Sequence, residues 1–177
     1  MKNEIINRIL SSLFLIPIAF FFIIKGSFFF NFFIAICFLI TTYEWHMMSK
    51  KKKYYLIGHI FLLISFYCVY ALRNNFGDES ILIFFFITLI CISTDIGGYI
   101  FGKIFKGPRL IKKISPNKTF SGMIGGYFLS ILIINFFFNY SYIKLKYEPE
   151  FTPEAFIIVL LISTVSQAGD IIISYFK

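Results

Sequence analysis

Apolar runs of membrane-spanning length, separated by short clusters of charge, recur from one end of this 177-residue chain to the other. They lie at roughly 9–24, 27–46, 54–72, 80–102, 119–142 and 155–175, and a helix needs roughly 17 to 25 residues to cross a bilayer. Composition agrees, because a chain that is 58% hydrophobic and only 15% charged cannot cover a soluble domain of this size with polar surface. The expected fold class is all-α: a polytopic transmembrane helical bundle of about six spans, with residues 1–177 as a single membrane domain. The first run is short and carries Pro17, which a lipid-buried helix tolerates where neighbours satisfy the freed carbonyl. Lys2 and Arg8 precede it as in a signal peptide. No small-x-small cleavage site follows and a second apolar run begins at once, so a retained first span is expected. The joint abundance of Phe, Ile, Lys and Asn resembles the bias of AT-rich coding, so the placement of polar residues is more informative than the number of phenylalanines.

Lysine and arginine alternate in abundance between successive connections: 13 fall on the side of the N-terminus and 4 on the other. The positive-inside rule then puts the N-terminus, the Lys50–Lys53 cluster, the basic connection 103–118 and Lys177 in the cytoplasm. The net charge of +8 is therefore read as a cytoplasmic-face charge suited to topology and anionic lipid. Nucleic acid is not an expected partner, since no soluble basic domain exists to carry it. Cys37, Cys68 and Cys91 each sit inside an apolar run without C-x-x-C or Cys/His spacing. Small core hydrophobes are expected, with neither disulfides nor a zinc site. His46 and His59 have no partner at ligand spacing and read as interfacial polar residues, and Trp45 as part of an aromatic belt.

Three acidic residues remain inside the spans, Glu44, Asp95 and Asp170, where a carboxylate costs at least ~2.5 to 3.5 kcal/mol at the bilayer centre. All three fall near cytoplasmic ends in this topology, within reach of a water-soluble substrate. Ser163, Ser166, Gln167, Asp170, Ser174 and Lys177 recur at three- and four-residue steps, one polar stripe on a helix that is open to interhelical hydrogen bonding or to a site. Gly98 with Gly102, and Gly122 with Gly126, make G-x-x-x-G pairs, the signature of close helix packing. Between them runs "KKISPNKTFSGMIGG", Lys112 to Gly126. Its Pro116 and Asn117 suit a turn before a helix that begins near Thr119. Lysines and hydroxyls at a helix N-terminus form an anion site. Together with carboxylates at the same depth they suggest a phosphate-bearing substrate bridged by Mg²⁺ to Asp95 or Asp170.

The run "STDIGGYIFGKIFKGPRLIKKISPNKTFSGMIGG", Ser93 to Gly126, with "NRILSS" near the start, "YEWHMM" in the second span and "GDIIISYFK" at the end, resembles the phosphatidate cytidylyltransferase (CDP-diglyceride synthase) family. The resemblance covers essentially the whole chain in order. It implies a multi-pass inner-membrane enzyme that joins CTP to phosphatidic acid with Mg²⁺, giving CDP-diacylglycerol and pyrophosphate. It further implies that Asp95, Lys118 and Asp170 are catalytic, that Ser115 and Thr119 help hold CTP phosphates, that Ser174 and Lys177 bind substrate, and that Asp95 and Asp170 serve the metal. A homo-oligomer is a further possibility.

The family's signature begins at the match to Ser174 and Lys177 and continues with carboxylates expected to bind metal. This chain stops at Lys177, so it is expected to fold and insert but to show little or no transfer activity alone. Alternatives from other classes stay open: a small transporter or channel using Asp95 and Asp170 as ion sites, or a non-catalytic membrane subunit. Within the enzyme class, a related lipid nucleotidyltransferase or polyprenol kinase also fits the residues.

Overall fold

A computed structural model describes residues 2–50, 52–111, 115–139 and 152–176. Its elements are α1 (Lys2–Lys25), α2 (Ser27–Ser49), α3 (Tyr55–Asn74), a 3₁₀ turn (Gly77–Glu79), α4 (Ser80–Phe105), β1 (Arg109–Ile111), β2 (Ser115–Thr119), α5 (Phe120–Asn139) and α6 (Pro153–Phe176). Each of the six apolar runs falls on one helix, the first on α1, which begins earlier, at Lys2; the end of the fifth run, 140–142, lies outside the described residues. Among the described residues, α2 to α6 provide five helices long and apolar enough to cross a membrane, while the apolar part of α1, Ser12–Lys25, is shorter. The chain is a multi-pass membrane protein. It divides into two compact units, Met1–Phe84 and Phe85–Lys177.

In the first unit α1 continues through Pro17 to Lys25, and a single glycine separates it from α2. Gly26 has φ +63, a region that favours glycine because a Cβ is crowded there. The same glycine makes room for Arg73, whose guanidinium occupies the space a Cβ would need. Arg73 Nε donates to the Ile23 carbonyl at 3.0 Å, satisfying one of the acceptors that the last turn of a helix leaves open. Asn74 donates to Asn31 Oδ1 at 3.1 Å. At the other end of α2 and α3, Trp45 packs against Gly58 and donates from Nε1 to the Tyr55 carbonyl at 3.1 Å. The aromatic-belt reading of Trp45 is thereby refined: its ring joins two helices. His46 and His59 are also engaged locally, with Tyr55 Oη and the Tyr55 carbonyl, both at 2.9 Å.

In the second unit small residues let the backbones of α4 and α5 approach. A Cβ on Gly97 would lie 2.5 Å from the Gly125 carbonyl oxygen, and one on Gly122 would lie 2.6 Å from that of Gly98. Both distances are too short for any side chain, so the glycine pairs act as the close packing read from their spacing. Further along, Ile90, Ile134 and Val159 form a fully buried centre, and Phe86 meets Phe138 edge to face at 5.6 Å.

A correction concerns Ser115–Thr119, expected as a turn. It is a strand, paired antiparallel with β1 through Arg109↔Thr119 and Ile111↔Ser115. The residue before a proline is pushed toward extended backbone, and a two-stranded ribbon has edges on which the missing N–H of Pro116 costs no ladder bond. Lys106, with φ +45, ends α4 in the left-handed conformation common just past a helix C-terminus. The Phe120 amide donates to the Pro108 carbonyl at 2.9 Å, tying the ribbon to the start of α5.

Candidate functional site

Five elements of the second unit, α4, β1, β2, α5 and α6, meet around one cleft of about 290 Å³. Asp95 enters from α4, Ser115, Lys118 and Thr119 from β2, and Asp170 from α6, so five of the seven residues singled out in the sequence line the same space. At its centre Lys118 Nζ lies 3.0 Å from Asp170 Oδ2, with side chains 27% and 52% exposed. This pair ties the ribbon to α6 while staying open to solvent. Asp95 is exposed as well, so neither carboxylate is sealed into the packed interior, where an uncompensated charge would be costly.

The remaining two residues behave differently. Ser174 donates to the Asp170 carbonyl at 2.7 Å, a bond within its own helix, and is not among the residues lining the cleft. Lys177 lies outside the described residues, as do Lys112 and Lys113 of the basic connection. Glu44 belongs to the first unit and is exposed on α2.

Thr119 has a clear local duty. Its Oγ1 accepts from the Gly122 amide at 3.1 Å, which makes it the N-cap of α5 and satisfies a donor that the first helical turn would leave open. The Ser121 hydroxyl sits 3.1 Å from the same oxygen and accepts from the Gly107 amide at 3.1 Å. The start of α5 is thus fastened to the end of α4, and the glycine contacts hold Asp95 and Thr119 on facing walls.

The polar stripe on α6 divides along its length. Ser163 is fully buried and bonds Thr94 Oγ1 at 2.8 Å and Ser130 Oγ at 2.9 Å. Thr94 and Ser130 also reach the carbonyls of Ile90 and Tyr127, at 2.7 and 2.9 Å, so three hydroxyl protons serve four contacts across three helices. One turn beyond Ser163, Gln167 donates to the Met123 carbonyl at 3.3 Å and lines the cleft. Asp170 follows one turn later. The stripe therefore divides on successive turns: interhelical bonding at Ser163, then residues that line the cleft.

Sequence reasoning did not single out Gln167, Tyr99 or Met123 as lining residues. Membership of the polar stripe could have promoted Gln167, and the motif around Asp95 already contained Tyr99. Met123, in an apolar run, gave no signal.

The donor set has a definite bearing on metals. Among the described residues no group of three or more His, Cys, Asp or Glu could hold an ion, so the described residues form no all-protein cage. Mg²⁺ is commonly held by one or two carboxylates, with substrate phosphates and water completing its shell. Asp95 and Asp170 in one cleft beside a single lysine fit that pattern, because they leave a local negative charge that a cation accompanied by phosphate would balance. The cysteines Cys37, Cys68 and Cys91 are unpaired.

The fold and cleft define a multi-pass membrane protein with a charged cleft lined by its last three described helices and the ribbon. The sequence profile described as the Cytidylyltransferase family matches residues 50–177. The chain is 30% identical to a phosphatidate cytidylyltransferase of Rickettsia typhi, over 99% of this chain and 77% of the relative. A protein of that name from Rickettsia felis is 31% identical, over 99% and 78%. One from Staphylococcus aureus strain COL is 31% identical, over 81% of this chain and 54% of the relative. No solved structure matches. The chain belongs to the cytidylyltransferase family.

Proposed function

We propose that this protein transfers CMP from CTP to phosphatidic acid, releasing pyrophosphate and forming CDP-diacylglycerol for phospholipid synthesis. The observation that carries this reading is the convergence of Asp95, Ser115, Lys118, Thr119 and Asp170 on one cleft, in a chain whose relatives are named phosphatidate cytidylyltransferases. A transporter is not favoured, because family membership and a phosphate-suited ribbon beside the carboxylates both point to nucleotidyl transfer.

In the transfer, an oxygen of the lipid phosphate bonds to the α-phosphorus of CTP while the bond from that phosphorus to the β-phosphate oxygen breaks. The electron pair leaves with pyrophosphate. Little covalent work falls to the protein, so positioning and charge neutralisation supply the rate. Lys118 and the Ser115 hydroxyl would hold phosphate oxygens, and Thr119 would keep the α5 start in register. Asp95 and Asp170 would hold Mg²⁺, which when bound neutralises charge on the triphosphate.

The excess of basic residues on one side, 13 against 4, supports a cytoplasmic N-terminus and ribbon in the inner membrane. In a background lacking the native cysteines, an introduced Asn75→Cys should react with an impermeant reagent added outside, and Asn117→Cys should not. The opposite pattern would remove the cytoplasmic site.

The activity test is pyrophosphate release from CTP and phosphatidic acid with Mg²⁺ by the purified chain, beside a version extended with a family-type C-terminal segment. Formation of CDP-diacylglycerol that depends on Lys118 supports the reading. Lysine-independent turnover, or none from either version, refutes it.

A further inference from the structure

The cleft holds two carboxylates and one lysine, and that lysine is already engaged with Asp170. A lipid phosphate monoester, which bears roughly −1.5 to −2 charge near neutral pH, needs a positive group on the side from which it arrives. α4 supplies one. Tyr99 lines the cleft and is 68% exposed. One turn later Lys103 holds its ammonium over the Tyr99 ring, 5.6 Å from the centroid. Ile96, Ile100 and Ile104 are exposed on the same helix, so Tyr99 and Lys103 sit amid apolar surface that a spanning helix presents to lipid.

A lysine in the last turn of such a helix is free to extend into headgroup water. Here the four-residue spacing lays the ammonium on an aromatic ring that borders the cleft. An exposed cation–π contact changes an equilibrium by a factor of only about 2 to 5. The charge-assisted bond to phosphate that would replace it is stronger. Lys103 is thus held near the rim but not committed to it.

We propose that Lys103, seated on Tyr99, is the acceptor subsite: it receives the phosphate monoester of a membrane lipid and delivers it over the Tyr99 rim into the cleft. The assignment rests on the transfer reading above and adds to it the place and chemistry of acceptor recognition. Lysine acts as a point charge rather than a planar fork, so recognition follows charge. A monoester is therefore preferred to a singly charged diester with the same acyl chains, and arginine is an adequate substitute.

The test uses the full chain in detergent with equal amounts of dioleoyl-phosphatidate and dioleoyl-phosphatidylglycerol, the retained lipid being read by native mass spectrometry. The wild type should retain phosphatidate over phosphatidylglycerol. Lys103→Gln should lower that retention about 10-fold, the size expected for a lost bond to a charged group, whereas Lys103→Arg should stay within about threefold. Lys52→Gln, in the first unit, should match the wild type. In turnover, Lys103→Gln should raise the KM for phosphatidate about 10-fold and leave the KM for CTP within about twofold.

Equal retention by wild type and Lys103→Gln would overturn the proposal, as would an equal rise in both KM values. Displacement of the lipid by stoichiometric inorganic phosphate would also overturn it, since the site would then read free phosphate. Lys103-dependent retention with no CDP-diacylglycerol formed by either the chain or its extended version would leave the subsite standing and end the transfer reading.

Discussion

The two units of this protein place their interhelical polar side chains differently. In Met1–Phe84 those that link separate helices act at helix ends, partly on backbone, as Arg73 on the Ile23 carbonyl and Trp45 on the Tyr55 carbonyl, and partly in the pairs Asn74–Asn31 and His46–Tyr55. In Phe85–Lys177 they lie along the helices and meet side chain to side chain, from the Thr94, Ser130 and Ser163 cluster to the Lys118–Asp170 pair. Packing differs in the same sense. Aromatic rings interlock in the first unit, as with Phe22 stacked on Phe33 at 5.1 Å and Phe38 on edge to Phe66 at 5.3 Å, while glycine brings backbones together in the second. Close backbones set side chains from different helices within reach of one another, and reach is what a multi-residue site requires.

The largest effects should fall on the ion pair. Lys118→Met and Asp170→Asn should each lower turnover about 100- to 1,000-fold, the usual cost of removing one well-placed electrostatic group. Arg73→Met removes a comparable cation from the first unit. It should lower the unfolding temperature while leaving turnover per folded molecule within about twofold. Similar losses of turnover in both would erase the contrast between the units.

Glycine substitutions give the next effect. Gly97→Ala and Gly122→Ala place a methyl group against backbone oxygen, which cannot rotate away, so each should cost about 1 to 3 kcal/mol of stability. Gly58→Ala meets the Trp45 ring instead, and that side chain can turn aside for about the value of one hydrogen bond, ~1 kcal/mol. Thermal unfolding in detergent ranks them, and a larger loss at Gly58 would show that the aromatic unit is the more tightly packed.

Smallest should be Ser163→Ala. Its removal leaves Thr94 and Ser130 with their carbonyl partners, so a loss of about 0.6 kcal/mol and no more than about 1.7 is expected, the mean and the maximum measured for hydrogen bonds between membrane helices. A loss well above that would mean the three hydroxyls act as one unit, and a double replacement with Thr94→Val would then be strongly non-additive.

Helix spacing made much of the site legible. Asp95, Gly98 and Gly102 recur on one face of α4, and the stripe from Ser163 to Asp170 on one face of α6, because a helical period fixes which residues look the same way. Spacing along one helix gives no information about which other helix faces it. The contact of Ser163 with Thr94, 69 residues away, is of that kind. So is the position of Met123, an apolar residue whose carbonyl rather than side chain engages Gln167. The ribbon was misread for a different reason: Ser, Pro and Asn favour turns locally, but pairing with Arg109–Ile111 draws them into extended backbone.

Apolar run length and charge alternation determined, from the sequence by itself, a multi-pass helical membrane protein, since lipid admits few ways to satisfy a backbone. The motifs around Asp95 and Lys118 likewise marked its family. Only the tertiary structure decided that Thr119 caps α5, that Ser174 stays outside the cleft, and that Lys118 is paired with Asp170 rather than Asp95. Those outcomes depend on how close helices can come and which partner lies within about 3 Å, the range over which a hydrogen bond or ion pair is made, and such distances arise only when separate stretches of chain are packed together.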